Sequence, residues 1–207
     1  MLRRLLASAL LIAITDAQMI RQCTCKEMMP CSHVSADVFL KCANACQRHT
    51  AAIGLSYPVL RQCFADVRDP LDRTILCYKK SYAGSCATGP PKMVPKRYLE
   101  TFKLAMYNRV SNLLTRSGIR DEVLSFFQQT KKFSTCQMKC VNRAVGNCKK
   151  KNNCGLIEAP DSVLVETLMK CAIDGGLNTA TFRKLCHCTA SAGAMHMDHV
   201  CERVIIE

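Results

Sequence analysis

The residues best equipped for chemistry crowd near the C-terminal end of the chain: Cys186-His187-Cys188, then His196, His199 and Cys201. Thiolates and imidazoles at this spacing would make a zinc ligand set in a reducing compartment. In an oxidising compartment the same sulfurs pair into disulfides, and that is the outcome expected here, with no metal and no cofactor. His196 and His199, three residues apart, fall on one helical face and read most simply as surface histidines. Cys23-Thr24-Cys25 repeats the one-residue spacing of Cys186 and Cys188. A redox pair would need an attacking thiol of low pKa, and no neighbour marks one, so each of these cysteines is expected to bond a different partner.

Hydrolytic motifs are missing. The sequence has no Gly-x-Ser-x-Gly elbow, no His-Glu-x-x-His helix and no glycine-rich phosphate loop. Asp198-His199-x-Cys201 comes nearest to a phospholipase-type His-Asp pair, but its acidic residue precedes the histidine and the adjacent cysteine pair is absent. No catalytic residue is assigned. A non-enzymatic protein is expected, and a secreted hydrolase with an unfamiliar site is the alternative.

Charge points to a partner class. The chain carries 29 Lys plus Arg against 16 Asp plus Glu, a net +13. Such a surplus draws a protein toward polyanions. The densest run is Cys148-Lys149-Lys150-Lys151-Asn152-Asn153-Cys154, where cysteines on either side would anchor Lys149, Lys150 and Lys151 on a surface turn. Anchoring lowers the ordering cost of meeting an array of sulfates or phosphates. Lys131, Lys132, Lys139 and Arg143 extend the patch along the helix that precedes it. The expected ligand is a sulfated glycosaminoglycan or an anionic surface, and nucleic acid is not expected.

These residues need a scaffold. Arg3 and Arg4, an apolar run from Leu5 to Ile14 and the small-residue end Thr15-Asp16-Ala17 describe a secretory leader over residues 1–17. The run is too short to span a bilayer, and no later stretch reaches ~20 uninterrupted apolar residues, so a secreted, extracellular chain without a transmembrane segment is expected from Gln18 onward.

All 16 cysteines follow that point, in two blocks of eight. The first is Cys23, Cys25, Cys31, Cys42, Cys46, Cys63, Cys77 and Cys86; the second is Cys136, Cys140, Cys148, Cys154, Cys171, Cys186, Cys188 and Cys201. Each block is even and can close on itself, and Gly89-Pro90-Pro91 marks a boundary. Two small disulfide-rich domains are therefore expected, over 18–90 and 133–207, with a connector over 91–132.

Helical periodicity dominates both blocks. Val38, Phe39, Cys42 and Cys46 recur at three- and four-residue intervals after Ser35, and Cys136 and Cys140 repeat the spacing. Further helices are expected over 58–67, 71–78, 163–171 and 179–188, the third of them ended by Gly175-Gly176. Leu99, Phe102, Met106, Val110 and Leu113 make an apolar stripe in the connector, Ser117-Gly118 breaks it, and Val123, Leu124 and Phe127 resume it. With Lys96, Arg97, Lys103, Arg109 and Arg116 nearby, this stripe carries a second functional reading, a cationic membrane-active defence or effector protein. Alternating apolar and polar runs are scarce, and the fold class is all-α.

Phe39-x2-Cys42-x3-Cys46 matches Phe133-x2-Cys136-x3-Cys140, and Cys63-x13-Cys77 is close to Cys171-x14-Cys186, the pattern a diverged duplication would leave. A leader followed by two helical cysteine-rich segments with this Phe-x2-Cys-x3-Cys rhythm resembles nematode secreted proteins of the chondroitin proteoglycan 4 domain type. The resemblance implies an extracellular, matrix-type protein and transfers no functional residue. Members that name the family carry chondroitin chains on serine; here the one Ser-Gly pair, Ser117-Gly118, is flanked by Arg116 and Arg120, and a helix break accounts for it.

Overall fold

The computed structural model describes residues 18–206, so the leader expected over 1–17 lies outside the described residues. Among the described residues, eight helices of ten residues or more carry the fold. Helix α1 (Ala36–Cys46) buries Ala36, Cys42, Ala43 and Cys46, the face that the cysteine spacing marks. Helix α2 (Tyr57–Asp66) takes Pro58 in its first turn, where no backbone donor is wasted. Helix α3 (Arg68–Ser81) follows at once. Helix α4 (Leu99–Arg116) stops at Gly118, whose φ of 64° is left-handed, and α5 (Arg120–Gln129) resumes. Helix α6 (Lys131–Val145) ends at Gly146, with φ of 77°. Helix α7 (Asp161–Asp174) starts after Pro160 and ends at Gly175-Gly176. Helix α8 (Thr179–Ser191) is capped by Asn178, whose side chain accepts the Thr181 N–H at 3.1 Å. Single helical turns occur at Cys25–Met28, Arg48–Ala51, Cys148–Lys151 and Asp198–Cys201. Strands β1 (Met19–Arg21) and β2 (Met93–Pro95) pair antiparallel, with Ile20 opposite Val94. The fold is all-α and disulfide-rich.

Eight disulfides take up all 16 cysteines. They correct the expectation that each block closes on itself. Only Cys25–Cys86 and Cys186–Cys201 stay within a block. The other six, Cys23–Cys154, Cys31–Cys148, Cys42–Cys140, Cys46–Cys136, Cys63–Cys188 and Cys77–Cys171, join the first block to the second. The cause is helix packing: α1 lies on α6, α3 on α7 and α2 on α8, so the helices that share faces come from opposite ends of the chain. Cysteines bond where Cα atoms come within about 4.4–6.8 Å, irrespective of sequence separation.

Four of the eight bridges also carry an exchange symmetry. Let α1, α2 and α3 swap with α6, α7 and α8. The Cys42–Cys140 bond then maps onto Cys136–Cys46, and Cys63–Cys188 maps onto Cys171–Cys77. One pair of helix contacts maps as well, since α2 on α8 becomes α7 on α3, whereas α1 also meets α2 and α3 where α6 makes no matching contact; the symmetry is that of these bridges and the helix pairs they join. This is the isologous pattern of two like units facing one another. Within it the counterpart of Cys77 is Cys188; Cys186, which sequence spacing selects, bonds Cys201 instead.

The cysteine-free connector is built into the core. Ile119, at the turn between α4 and α5, is fully buried with Leu55, Leu60, Ala192, Ala194, Met197 and Val200, and Leu114, Val123 and Phe126 pack around them. Of the expected stripe, Leu113 is buried and Phe102 and Met106 are half-buried, while Leu99 and Val110 are exposed. Two cations expected to flank it are tied down: Arg97 bonds Asp161 at 2.7 Å and Arg109 bonds Glu166 at 2.9 Å, both fastening the connector to α7.

Candidate functional site: a basic groove between α1 and α6

Two consecutive bridges set α1 against α6. Cys42–Cys140 and Cys46–Cys136 hold the Cα atoms 5.5 and 5.9 Å apart, and their order makes the helices antiparallel. Phe133 buries itself beside Ala43 and Cys46 and stacks on Phe64, with ring centroids 6.2 Å apart, which seats the first turn of α6. With Phe133 and Val141 facing inward, Lys131, Thr135, Lys139 and Arg143 form a four-residue-spaced row on the outward side. At 1.5 Å rise per residue, that row runs for about 18 Å.

The row walls an open groove of about 1030 Å³. Arg48 and His49, on the helical turn after α1, form the other wall, and Lys132 joins the first. Ala45, Ala144 and the sulfurs' residues Cys46, Cys136 and Cys140 fill the space between, and these small side chains keep it open. No Asp or Glu lines it. Among the described residues, none of the six basic groups is in an ion pair. By contrast Arg21, Arg68, Arg97, Arg109, Arg120, Arg183, Arg203, Lys149 and Lys170 all are. The groove thus concentrates positive charge that the protein leaves uncompensated over a floor cross-linked twice.

Four of the seven basic residues singled out in the sequence, Lys131, Lys132, Lys139 and Arg143, meet in this groove. Lys149, Lys150 and Lys151 do not line it. They sit on a turn of helix capped by Asn147, and Lys149 bonds Glu158 at 2.8 Å, whose side chain is 7% exposed. Cys148 and Cys154 anchor that turn through Cys31 and Cys23. Arg48 and His49 complete the lining and are not among the basic residues singled out in the sequence. The available signal was their place two and three residues past Cys46, continuing the α1 face that carries Ala45.

The C-terminal histidine and cysteine cluster resolves differently. Cys186 and Cys201 bond each other and Cys188 bonds Cys63, so none supplies a thiolate. His187, Asp198 and Cys201 lie close enough to frame an ion, but the Cys201 sulfur is spent. Both nitrogens of His187 are engaged as well, Nδ1 with Asp198 and Nε2 with Glu202, each at 2.8 Å. Hydrogen bonding to Asp198, and then to Glu202, raises the imidazole above the ordinary histidine range. This cluster is an ion-paired clamp between α8 and the C-terminal turn. His196 packs by Phe126, with ring centroids 6.4 Å apart, and His199 is exposed.

No family model, no curated protein and no solved structure matches this chain.

Proposed function

We propose that this is an extracellular, non-enzymatic binding protein whose α1–α6 groove takes sulfated polyanions of the glycosaminoglycan class. The observation that carries the reading is the groove itself: Arg48, His49, Lys131, Lys132, Lys139 and Arg143 line it without an acidic partner among the described residues. Uncompensated cations over a braced floor give a polyanion strong local attraction at low ordering cost. Eight disulfides fit an oxidising compartment. Among the described residues no helix is long and apolar enough to cross a membrane.

Retention on immobilised heparin tests the proposal with two variants that remove equal charge. The groove variant is Lys132→Ala with Lys139→Ala and Arg143→Ala; the comparison variant is Lys149→Ala with Lys150→Ala and Lys151→Ala. The groove variant should elute at clearly lower salt than the comparison. Equal losses would mean that retention follows net charge alone, and the groove would lose its role.

A second reading, contact with anionic membranes, draws on Leu104 and Tyr107, which α4 leaves 60% and 51% exposed beside Lys103. Leakage from anionic vesicles, abolished by Leu104→Ser with Tyr107→Ser, would establish it; vesicles of either charge left intact would remove it.

A further inference from the structure

The same groove is lined by bridged cysteines as well as by charge. We propose that the Cys46–Cys136 bridge, with Cys42–Cys140 beside it, is a thiol–disulfide exchange site for small anionic thiols. This inference goes beyond polyanion binding and needs only the groove's access and its local cations.

Cys46, Cys136 and Cys140 all line the groove, and Cys136 and Cys140 are half-buried where Cys46 and Cys42 are buried. Access for an incoming thiolate is therefore from the α6 side of the bridges. Lys132 lies four residues before Cys136 and Lys139 three after it, and Arg143 lies three after Cys140. Helical neighbours at these spacings have Cβ atoms about 5–6 Å apart. Positive charge there concentrates an anionic thiolate and stabilises the negative charge spread over three sulfurs during exchange.

A thiolate attacks Cys136 Sγ, the bond to Cys46 Sγ breaks, and its electron pair leaves on Cys46, which takes a proton from water. The mixed disulfide on Cys136 then meets a second thiolate at its outer sulfur. That releases the oxidised small disulfide and leaves Cys136 reduced, so two thiols are oxidised and one bridge is reduced.

Cys25–Cys86 is the natural competitor, since both of its cysteines are half-buried. Its surroundings mix the two charges, with the exposed Lys26 next to Cys25 and an acidic residue beyond it. Glu27, two residues from Cys25, accepts the Thr24 backbone N–H at 2.7 Å and compensates Arg21 at 2.8 Å. The charge of the attacking thiol should therefore decide which bridge opens first.

The experiment treats the fully oxidised protein at low ionic strength with limiting 2-mercaptoethanesulfonate (anionic) or cysteamine (cationic). Each rate is scaled to that thiol's rate on an uncharged reference disulfide. Free thiols are trapped with N-ethylmaleimide and located by peptide mass mapping. The anionic thiol should open Cys46–Cys136 or Cys42–Cys140 first, and do so about tenfold faster than cysteamine, at the low end of what focused fields give. The preference should shrink to less than about twofold in about 1 M NaCl, where screening acts within ~3 Å. It should shrink likewise in Lys132→Gln with Lys139→Gln and Arg143→Gln, whose bridges are checked by intact mass. If another bridge opens first with the anionic thiol, or if salt leaves the ratio unchanged, the proposal is overturned. Heparin retention is read separately. A protein that ignores heparin yet shows this preference refutes only the binding reading, and one that binds heparin through the groove but opens Cys25–Cys86 first refutes only the exchange site.

Discussion

Cys42 of α1 is bonded to Cys140 of α6 across a sequence separation of 98, and one turn on along α1 and one turn back along α6 Cys46 and Cys136 repeat the contact. The first and second cysteine blocks are stitched to one another, and the backbone between them is only one of seven covalent connections.

That topology predicts how a nicked protein behaves. Arg116 is exposed at the end of α4, on the approach to the Gly118 turn. A single tryptic cut there should leave one species on a non-reducing gel, splitting into two fragments only after reduction. Fragments that separate without reductant would show that the blocks close on themselves.

The connector should be costly to weaken. Ile119 is fully buried among Leu60, Met197 and Val200. Ile119→Ala leaves a cavity with walls held by neighbouring bridges, so little collapse can offset the loss. A destabilisation of about 3–5 kcal/mol is expected from denaturant unfolding with all disulfides intact. A loss below about 1 kcal/mol, typical of surface substitutions, would mean that α4 and α5 merely lie on the molecule.

Periodicity made the helices legible, because Val38, Phe39, Cys42 and Cys46 can share a face only in a helix, and Pro160 and Gly175-Gly176 bracket α7 from outside. The same periodicity says which face a cysteine occupies and nothing about whose face it meets. Pairing by block therefore failed where α3 packs on α7. Strands β1 and β2, three residues each, are too short to alternate visibly. For the groove, Lys131, Lys132, Lys139 and Arg143 were readable from one helix, whereas Arg48 and His49 reach it only through the α1–α6 contact. Lys149 looked as free as Lys150 until the turn it shares brought Glu158 to it.

A pair of glycines separates conformational strain from collision. Gly193 has φ of 128°, and a Cβ there would run into the Gly54 carbonyl oxygen; nearby, Ser56 N–H bonds the Ala192 carbonyl at 2.7 Å. Gly84, with φ of 80°, has open space around it. Gly84→Ala should cost about 1–2 kcal/mol from its left-handed backbone alone. Gly193→Ala should cost more by about 2 kcal/mol, since the backbone must also move. Thermal unfolding of the two variants side by side gives the difference, and equal losses would mean that the two turns do not press on each other.

His187 gives the molecule a pH-dependent joint. Its two ring nitrogens can both donate, to Asp198 and to Glu202, only when the imidazole is protonated. Because these partners raise its pKa in the folded state, the unfolded chain gives up the proton more readily. The clamp's contribution is therefore fully present below about pH 6.5, the ordinary histidine value, and is lost as pH rises through the raised folded value. Comparing melting temperatures of wild type and His187→Gln from about pH 5 to about pH 9 cancels the pH dependence that the two proteins share. The wild-type advantage should be largest at the acid end and fade toward the alkaline end. An advantage that stays constant across that range would mean that His187 bonds its carboxylates as a neutral ring, and one that grows with pH would reverse the assignment of the proton.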